Sequence, residues 1–225
     1  MAARCVSAIK GTTARLIKLD VCGNPVSGAA SAEVVTDGFI NIAPSPQYDD
    51  GEAIQTRKAN GLFCINEPGD VQLTQVNLTI NWCVLDPDTI TIITGDQLLS
   101  AGGAGVTGTG VAFGEGLILN RWSLEVWQNV VGEGACGSDG LQRYVYWAFP
   151  NAGGGKVGDL DFGNSALQFT NTAFTKKIGN FWAARAGATP YLDSNVPQLD
   201  THFLYNVTTV APPAASCGAH VHVNS

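Results

Sequence analysis

The run Gln72-Leu73-Thr74-Gln75-Val76-Asn77-Leu78-Thr79-Ile80-Asn81-Trp82-Cys83, followed by Asp86-Pro87-Asp88-Thr89-Ile90-Thr91-Ile92-Ile93-Thr94-Gly95, decides the fold class. Its first part alternates apolar Leu73, Val76, Leu78, Ile80 and Trp82 with uncharged Gln75, Asn77, Thr79 and Asn81. That is the period of a strand with one packed and one wet face. The second part reads as a short helix, with Asp86 as N-cap, Pro87 at the first helical position, Asp88 in the first turn and a stop at Gly95. A long strand with a neutral outer face that delivers a stubby helix points to a mainly β chain presenting one sheet face to water.

Working outward, the 225 residues fit one domain with a sizeable core, since all-β folds reach this length without splitting. With 45% hydrophobic and 14% charged residues the chain is expected to fold. No apolar run reaches the length of a bilayer span, so no membrane is expected as a partner. The net charge of −7 disfavours tight binding to phosphate backbones. Met1-Ala2-Ala3-Arg4-Cys5-Val6-Ser7-Ala8-Ile9-Lys10 lacks an apolar stretch of signal-peptide length, and the chain is expected to stay where it is made. Six cysteines at 5, 22, 64, 83, 136 and 217 show no C-x-x-C pair. Without export they read as mostly buried free thiols; with export, three disulfides are the alternative, and Cys5 with Cys22 or Cys136 with Cys217 are pairs that can oxidise.

Strands are expected at residues 13–21, 38–43, 54–58, 62–66, 121–131, 142–149, 159–162, 166–174 and 202–209. Between two of them lies Ala43-Pro44-Ser45-Pro46-Gln47-Tyr48-Asp49-Asp50-Gly51-Glu52. It reads as a long loop that reaches for something, because long structureless connections in compact domains are usually functional. Ser100-Ala101-Gly102-Gly103-Ala104-Gly105-Val106-Thr107-Gly108-Thr109-Gly110 reads as a glycine-rich surface loop.

The search for catalytic chemistry returns little. Gly153-Gly154-Gly155-Lys156 lacks the spacer of a phosphate loop, and Val157 stands where Ser or Thr would hold magnesium, so it reads as a hairpin turn. Nucleophile elbows, H-E-x-x-H helices and Rossmann fingerprints are absent, and no enzyme activity or cofactor is expected. Asp159 and Asp161 share a strand face that is either wet or able to hold a divalent metal. His220 and His222 belong either to a solvated tail or, brought together on a symmetry axis, to a metal site. His202 reads as structural. Trp82, Trp122, Trp127, Trp147 and Trp182 offer a sugar platform in principle, but Trp82 and Trp122 fall on apolar faces and read first as core.

Several of these pieces in order carry a resemblance: the Trp82-Cys83 strand end, the Asp86-Pro87-Asp88 cap and the helix closing at Thr94-Gly95. Then follow Tyr144-Val145-Tyr146-Trp147-Ala148-Phe149-Pro150-Asn151 with its glycine turn, and Gly158-Asp159-Leu160-Asp161-Phe162 leading to Ala166-Leu167-Gln168-Phe169. Together, across residues 10–182, they resemble the major tail protein, or tail tube protein, of long-tailed, non-contractile bacteriophages, especially those of actinobacterial hosts. The resemblance implies a β-sandwich or barrel of the tail-tube type with one short flanking helix and long assembly loops. It implies a single domain over 1–225, with a candidate N-terminal arm at 1–12 and a Pro-rich tail at 211–225. It further implies hexameric rings stacked into a tube that conducts DNA, assembled in the bacterial host cytoplasm and found in the virion tail. Tape measure protein, tail terminator and distal tail protein are then the expected partners, and genomic DNA passes through without specific binding.

On that reading Gln75, Asn77, Thr79 and Asn81 are candidate lumen-facing residues. Pro44, Pro46, Tyr48, Asp49, Asp50 and Glu52 are candidates for an inter-subunit loop, and Asp86 and Gly95 cap the helix. Inner strands are expected to pair across subunits and so remove open sheet edges. Six copies would carry about −42 in all, which repels a phosphate backbone. Two other classes remain: another ring-forming virion protein, such as a tail terminator or head decoration protein, and a secreted carbohydrate-binding β-sandwich. The second is favoured by the tryptophans, the cysteines and the sequons at Asn77 and Asn206. The absence of a signal peptide and the mid-strand place of Asn77 argue against it.

Overall fold

The computed structural model describes residues 6–26, 28, 32–100, 108–116, 119–137, 140–158, 160, 168–177 and 201–220. Among them lie, in chain order, strands β1 (Ser7–Leu19), β2 (Glu33–Thr36), β3 (Phe39–Asp49), β4 (Ile54–Arg57), β5 (Phe63–Glu67) and β6 (Gln72–Trp82). Helix α1 (Pro87–Thr94) follows, and then β7 (Gln97–Leu99), β8 (Gly110–Ala112), β9 (Arg121–Val131), β10 (Tyr144–Val157), β11 (Phe169–Thr175) and β12 (Leu204–Thr208). The protein is mainly β and every strand pair is antiparallel. The large sheet runs β2-β1-β9-β10-β11-β6-β3, with β12 also paired to β10, while β4-β5 and β7-β8 form separate two-stranded sheets.

Alternation along β6 sets the core. Val76, Leu78, Ile80 and Trp82 point inward and are buried, joined by Leu16 of β1 and by Trp122, Leu124 and Val126 of β9. Each such side chain contributes about 1.5–3 kcal/mol through burial. The sheet curls so that its two ends approach: the ring of Phe39 in β3 lies where a side chain on Gly11 of β1 would be. Ile42 and Pro44 of β3 likewise share the wall of a cavity of about 170 Å³ with Val126, Trp147 and Phe149. One rolled sheet thus encloses the core between facing halves, which is how a single antiparallel sheet makes a sandwich or barrel.

Helix α1 plugs this core with Ile90, Ile92 and Ile93. Its ends are built as expected. The Asp86 carboxylate accepts from the Asp88 N–H at 3.2 Å and from the Thr89 hydroxyl at 2.9 Å, and Gly95, at φ 81, donates its N–H to the Thr91 carbonyl. A partner distant in sequence completes the C-terminal end, as the Asn120 side-chain amide donates to the Thr91 and Ile92 carbonyls at 3.1 and 2.8 Å.

The glycine run corrects one expectation. Gly153-Gly154-Gly155-Lys156 does not turn the chain but lies inside β10, at a shift in its register with β11. A Cβ on Gly155 would sit 2.2 Å from the Ile93 carbonyl oxygen, and one on Gly154 equally close to the Phe174 ring. The glycines let the helix and an aromatic ring rest directly on the strand, a use of Gly that composition does not distinguish from a turn.

A candidate functional site of an uncharged face and a projecting arm

On the outer face of β6, Gln75, Asn77, Thr79 and Asn81 are half-buried, and the register sets them beside residues of both flanking strands. Asn41, Ala43, Ser45 and Gln47 of β3 stand opposite them on one side, and Thr170, Thr172 and Phe174 of β11 on the other. Hydrogen bonds cross three strands, because the Thr170 hydroxyl donates to Asn81 Oδ1 at 2.6 Å and Asn81 Nδ2 donates to Asn41 Oδ1 at 2.7 Å. Gln75 Nε2 donates to Asn77 Oδ1 at 3.0 Å, and Gln47 Nε2 to the Ser45 hydroxyl at 3.1 Å. The amides and hydroxyls satisfy one another and hold no ionised group. Lys156, paired with Thr172, and Lys176, whose ammonium lies 5.6 Å from the Phe174 ring centre, stand at the margin.

The same two strands continue away from the core. The expected loop at residues 44–52 is largely strand: Pro44, Pro46, Tyr48 and Asp49 belong to β3, and only Asp50 and Glu52 lie in the link to β4. Prolines are tolerated here because β3 is the last strand of the sheet. Pro44 and Pro46 stand opposite Leu78 and Val76, and having no N–H they withdraw two donors from the edge.

Beyond Asp49 and Gln72 the chain crosses at Gly51 and Gly69, where a Cβ on Gly69 would lie 2.4 Å from the Asp50 carbonyl, and then forms the β4-β5 hairpin. Every residue of β4 and β5 is exposed. One face of this arm is polar, with Gln55 bonded to Asn66 at 3.0 Å. The other carries Ile54 and Ile65, 65% and 50% exposed, with Phe63 under the Arg57 guanidinium at 4.0 Å.

The opposite edge of the sheet is covered by the chain itself. Ser216 N–H donates to the Val35 carbonyl at 3.0 Å, and Glu33 and His220 exchange backbone bonds at 3.2 and 2.7 Å. Ala219 N–H reaches the Asp88 carboxylate at 3.2 Å. Residues 216–220 of the Pro-rich tail are therefore docked on β2 and the helix start, and His220, expected on a solvated end, is hydrogen-bonded to Ser216. Residues 7–12 of the candidate N-terminal arm form the first half of β1, paired to β9.

His202 is buried, its Nδ1 2.8 Å from the Thr175 hydroxyl that accepts the Val76 N–H, which links β6, β11 and the approach to β12. Trp82 and Trp122 lie in the main core and Trp127 is buried with Tyr146 and Ala148 on the reverse face of the sheet, whereas Trp147 is half-buried and donates to Gln128 Oε1 at 3.0 Å. Cys22, Cys64, Cys83, Cys136 and Cys217 are free thiols, but all five are exposed, against the expectation of burial. Turns, loops and the bare arm hold them, places that local hydrophobicity does not reveal. Cys5, Asp159, Asp161, Trp182, His222 and residues 101–107 lie outside the described residues. Among the described residues no group of three His, Cys, Asp or Glu is placed to hold a metal, and no helix is long and apolar enough to cross a membrane.

A buried ion pair escapes the sequence reading. Arg15 of β1 and Glu125 of β9 are cross-strand partners on the second face of the sheet, with Nε 2.5 Å from Oε2. Burial works to lower the Arg15 pKa, yet the Glu125 carboxylate outweighs it through charge and hydrogen bonding, and the guanidinium is held above its ordinary value. Glu125 alternates with Trp122, Leu124 and Val126 as a wet-face residue would; that its face is covered is a property of the tertiary structure alone.

No protein family matches the chain, and no curated protein matches it in sequence. The fold and site define a mainly antiparallel β protein whose distinctive surfaces are an uncharged, hydrogen-bonded sheet face and a hairpin arm that is exposed along both of its strands.

Proposed function

We propose that the chain is the repeating subunit of a bacteriophage tail tube, stacking as hexameric rings around a channel for genomic DNA. The observation that carries this reading is the outer face of β3 and β6, where eight positions hold only Asn, Gln, Ser, Thr and Ala, with Phe174, Lys156 and Lys176 confined to the β11 and β10 side. A conduit wall must stay hydrated while offering a polyanion neither cations to grip nor apolar steps to stick to. The bare arm supports the same reading, because a two-stranded hairpin is marginal alone and gains by packing on another copy. Contacts between copies run through faces and the arm: the tail occupies the β2 edge, and prolines blunt the middle of β3. Pairing of strands between copies is disfavoured at both of those edges.

Electron microscopy of the purified full chain over a concentration series tests it. Hollow tubes of uniform bore are the expected result. Closed rings that never stack would replace the tube subunit with a terminator, and monomers at every concentration would count against self-assembly altogether.

A further inference from the structure

Strand β6 has the arm at its beginning and helix α1 just after its end. Its 11 residues place these two features at opposite poles of the molecule, about 33 Å apart. Beside the helix start lies an apolar pocket of about 230 Å³, lined by Leu85, Pro87, Ile90, Val111, Phe113 and Phe169 among others. Leu85 and Phe113 at its mouth are 54% and 56% exposed. Among the described residues no charged side chain lines the pocket, whereas Asp86 and Asp88 flank Pro87 and Glu115 lies two residues after Phe113. The outer part of the arm is the complement in both respects, with Phe63 and Ile65 on one face and a basic tip at Arg57 and Lys58, while Ile54 on the same face pairs with Glu67 at the base, away from the tip.

We infer that this pocket receives the arm of a second copy of the chain. The arm cannot enter the pocket of its own chain, because a strand of fixed length holds them apart. A knob at one pole and a socket at the other make a head-to-tail contact, which repeats from copy to copy and either closes as a ring or continues as a filament. Apolar burial supplies the attraction, and the opposed charges of tip and rim set the direction of entry. The inference rests on the proposed self-assembly only in taking a second copy as the occupant, and it holds for any assembly of these copies.

Two single variants of the full chain test it, Ile65→Glu on the arm and Phe113→Glu at the pocket. Both residues are exposed, so each variant should melt with the native protein. Each alone should lose all species larger than the monomer in sedimentation velocity, at concentrations where the native chain assembles. Mixed in equal amounts, they should form a dimer and nothing longer, since one retains a working arm and the other a working pocket. A mixture that stays monomeric, a variant that assembles like the native chain, or a native chain that never associates would each overturn the inference. With benzoylphenylalanine in place of Phe63, photocrosslinks between isotopically light and heavy copies should map to residues 85–90 and 109–113. Links within one chain, or to any other surface, overturn it equally. Hollow tubes formed by both variants would keep the tube reading and remove this contact; solid filaments with the expected crosslinks would do the reverse.

Discussion

The two halves of the large sheet are built from similar strands to different ends. Around β1, β9 and β10 both faces are covered: Leu16, Trp122 and Leu124 lie in the main core, and Arg15, Glu125, Trp127 and Tyr146 are buried on the reverse side. Around β3 and β6 only one face is covered, and past Gln72 neither is. The first half holds the fold together, at the cost of desolvating an ion pair. The second packs Val76, Leu78, Ile80 and Trp82 into the same core on one side and leaves amides, hydroxyls and finally isoleucines in water on the other. The division leaves the exposed surface of the large sheet concentrated in one half.

The most severe way to break this contrast is to open the closed half. Glu125→Ala leaves Arg15 buried without its carboxylate and should destabilise the protein by about 3–5 kcal/mol in urea unfolding. The double replacement Arg15→Met with Glu125→Leu should recover much of that loss, because apolar groups carry no desolvation cost there. Equal midpoints for single and double variants would mean the pair is not what closes that face.

The contrast itself is sharpened by one substitution at two places. Ile80→Ala, in the core, should cost about 2–5 kcal/mol, whereas Ile65→Ala on the arm should stay within about 0.5 kcal/mol in the dispersed chain. A large effect at Ile65 under those conditions would show the arm already packed and would erase the distinction.

Smaller effects concern the helix that plugs the core. Gly155→Ala pushes a methyl group into the Ile93 carbonyl and should cost about 1–3 kcal/mol, read as a lowered melting temperature. Asp86→Ala removes the N-cap acceptor and should cost about 1 kcal/mol by the same measure. If Gly155→Ala were neutral, the helix would have room to shift, and its seating on β10 would be looser than the contact distances imply.

Local pattern made much of the architecture legible. The strand Arg121–Val131 falls where alternation and flanking turn residues place it, and the cap residues Asp86 and Gly95 act as their types predict. The four polar residues of β6 are legible as one face, since a strand has period two whatever surrounds it. Missed were β2, β7 and β8, which are only three or four residues long and too short to show a period. Also missed was the extension of β3 through Pro44 and Pro46, where proline chemistry signals a loop unless the strand is known to be an edge.

Sequence by itself determined where strands alternate, where the helix begins and ends, and that one face of β6 carries no charge, because these follow from backbone geometry and side-chain chemistry within a few residues. Tertiary structure alone decided that Asn41, Asn81 and Thr170 join into one network, that Glu125 is buried against Arg15, and that the arm stands bare at the pole opposite the helix. These depend on which strands become neighbours and which surfaces the folded chain covers, and those contacts join residues up to 110 positions apart.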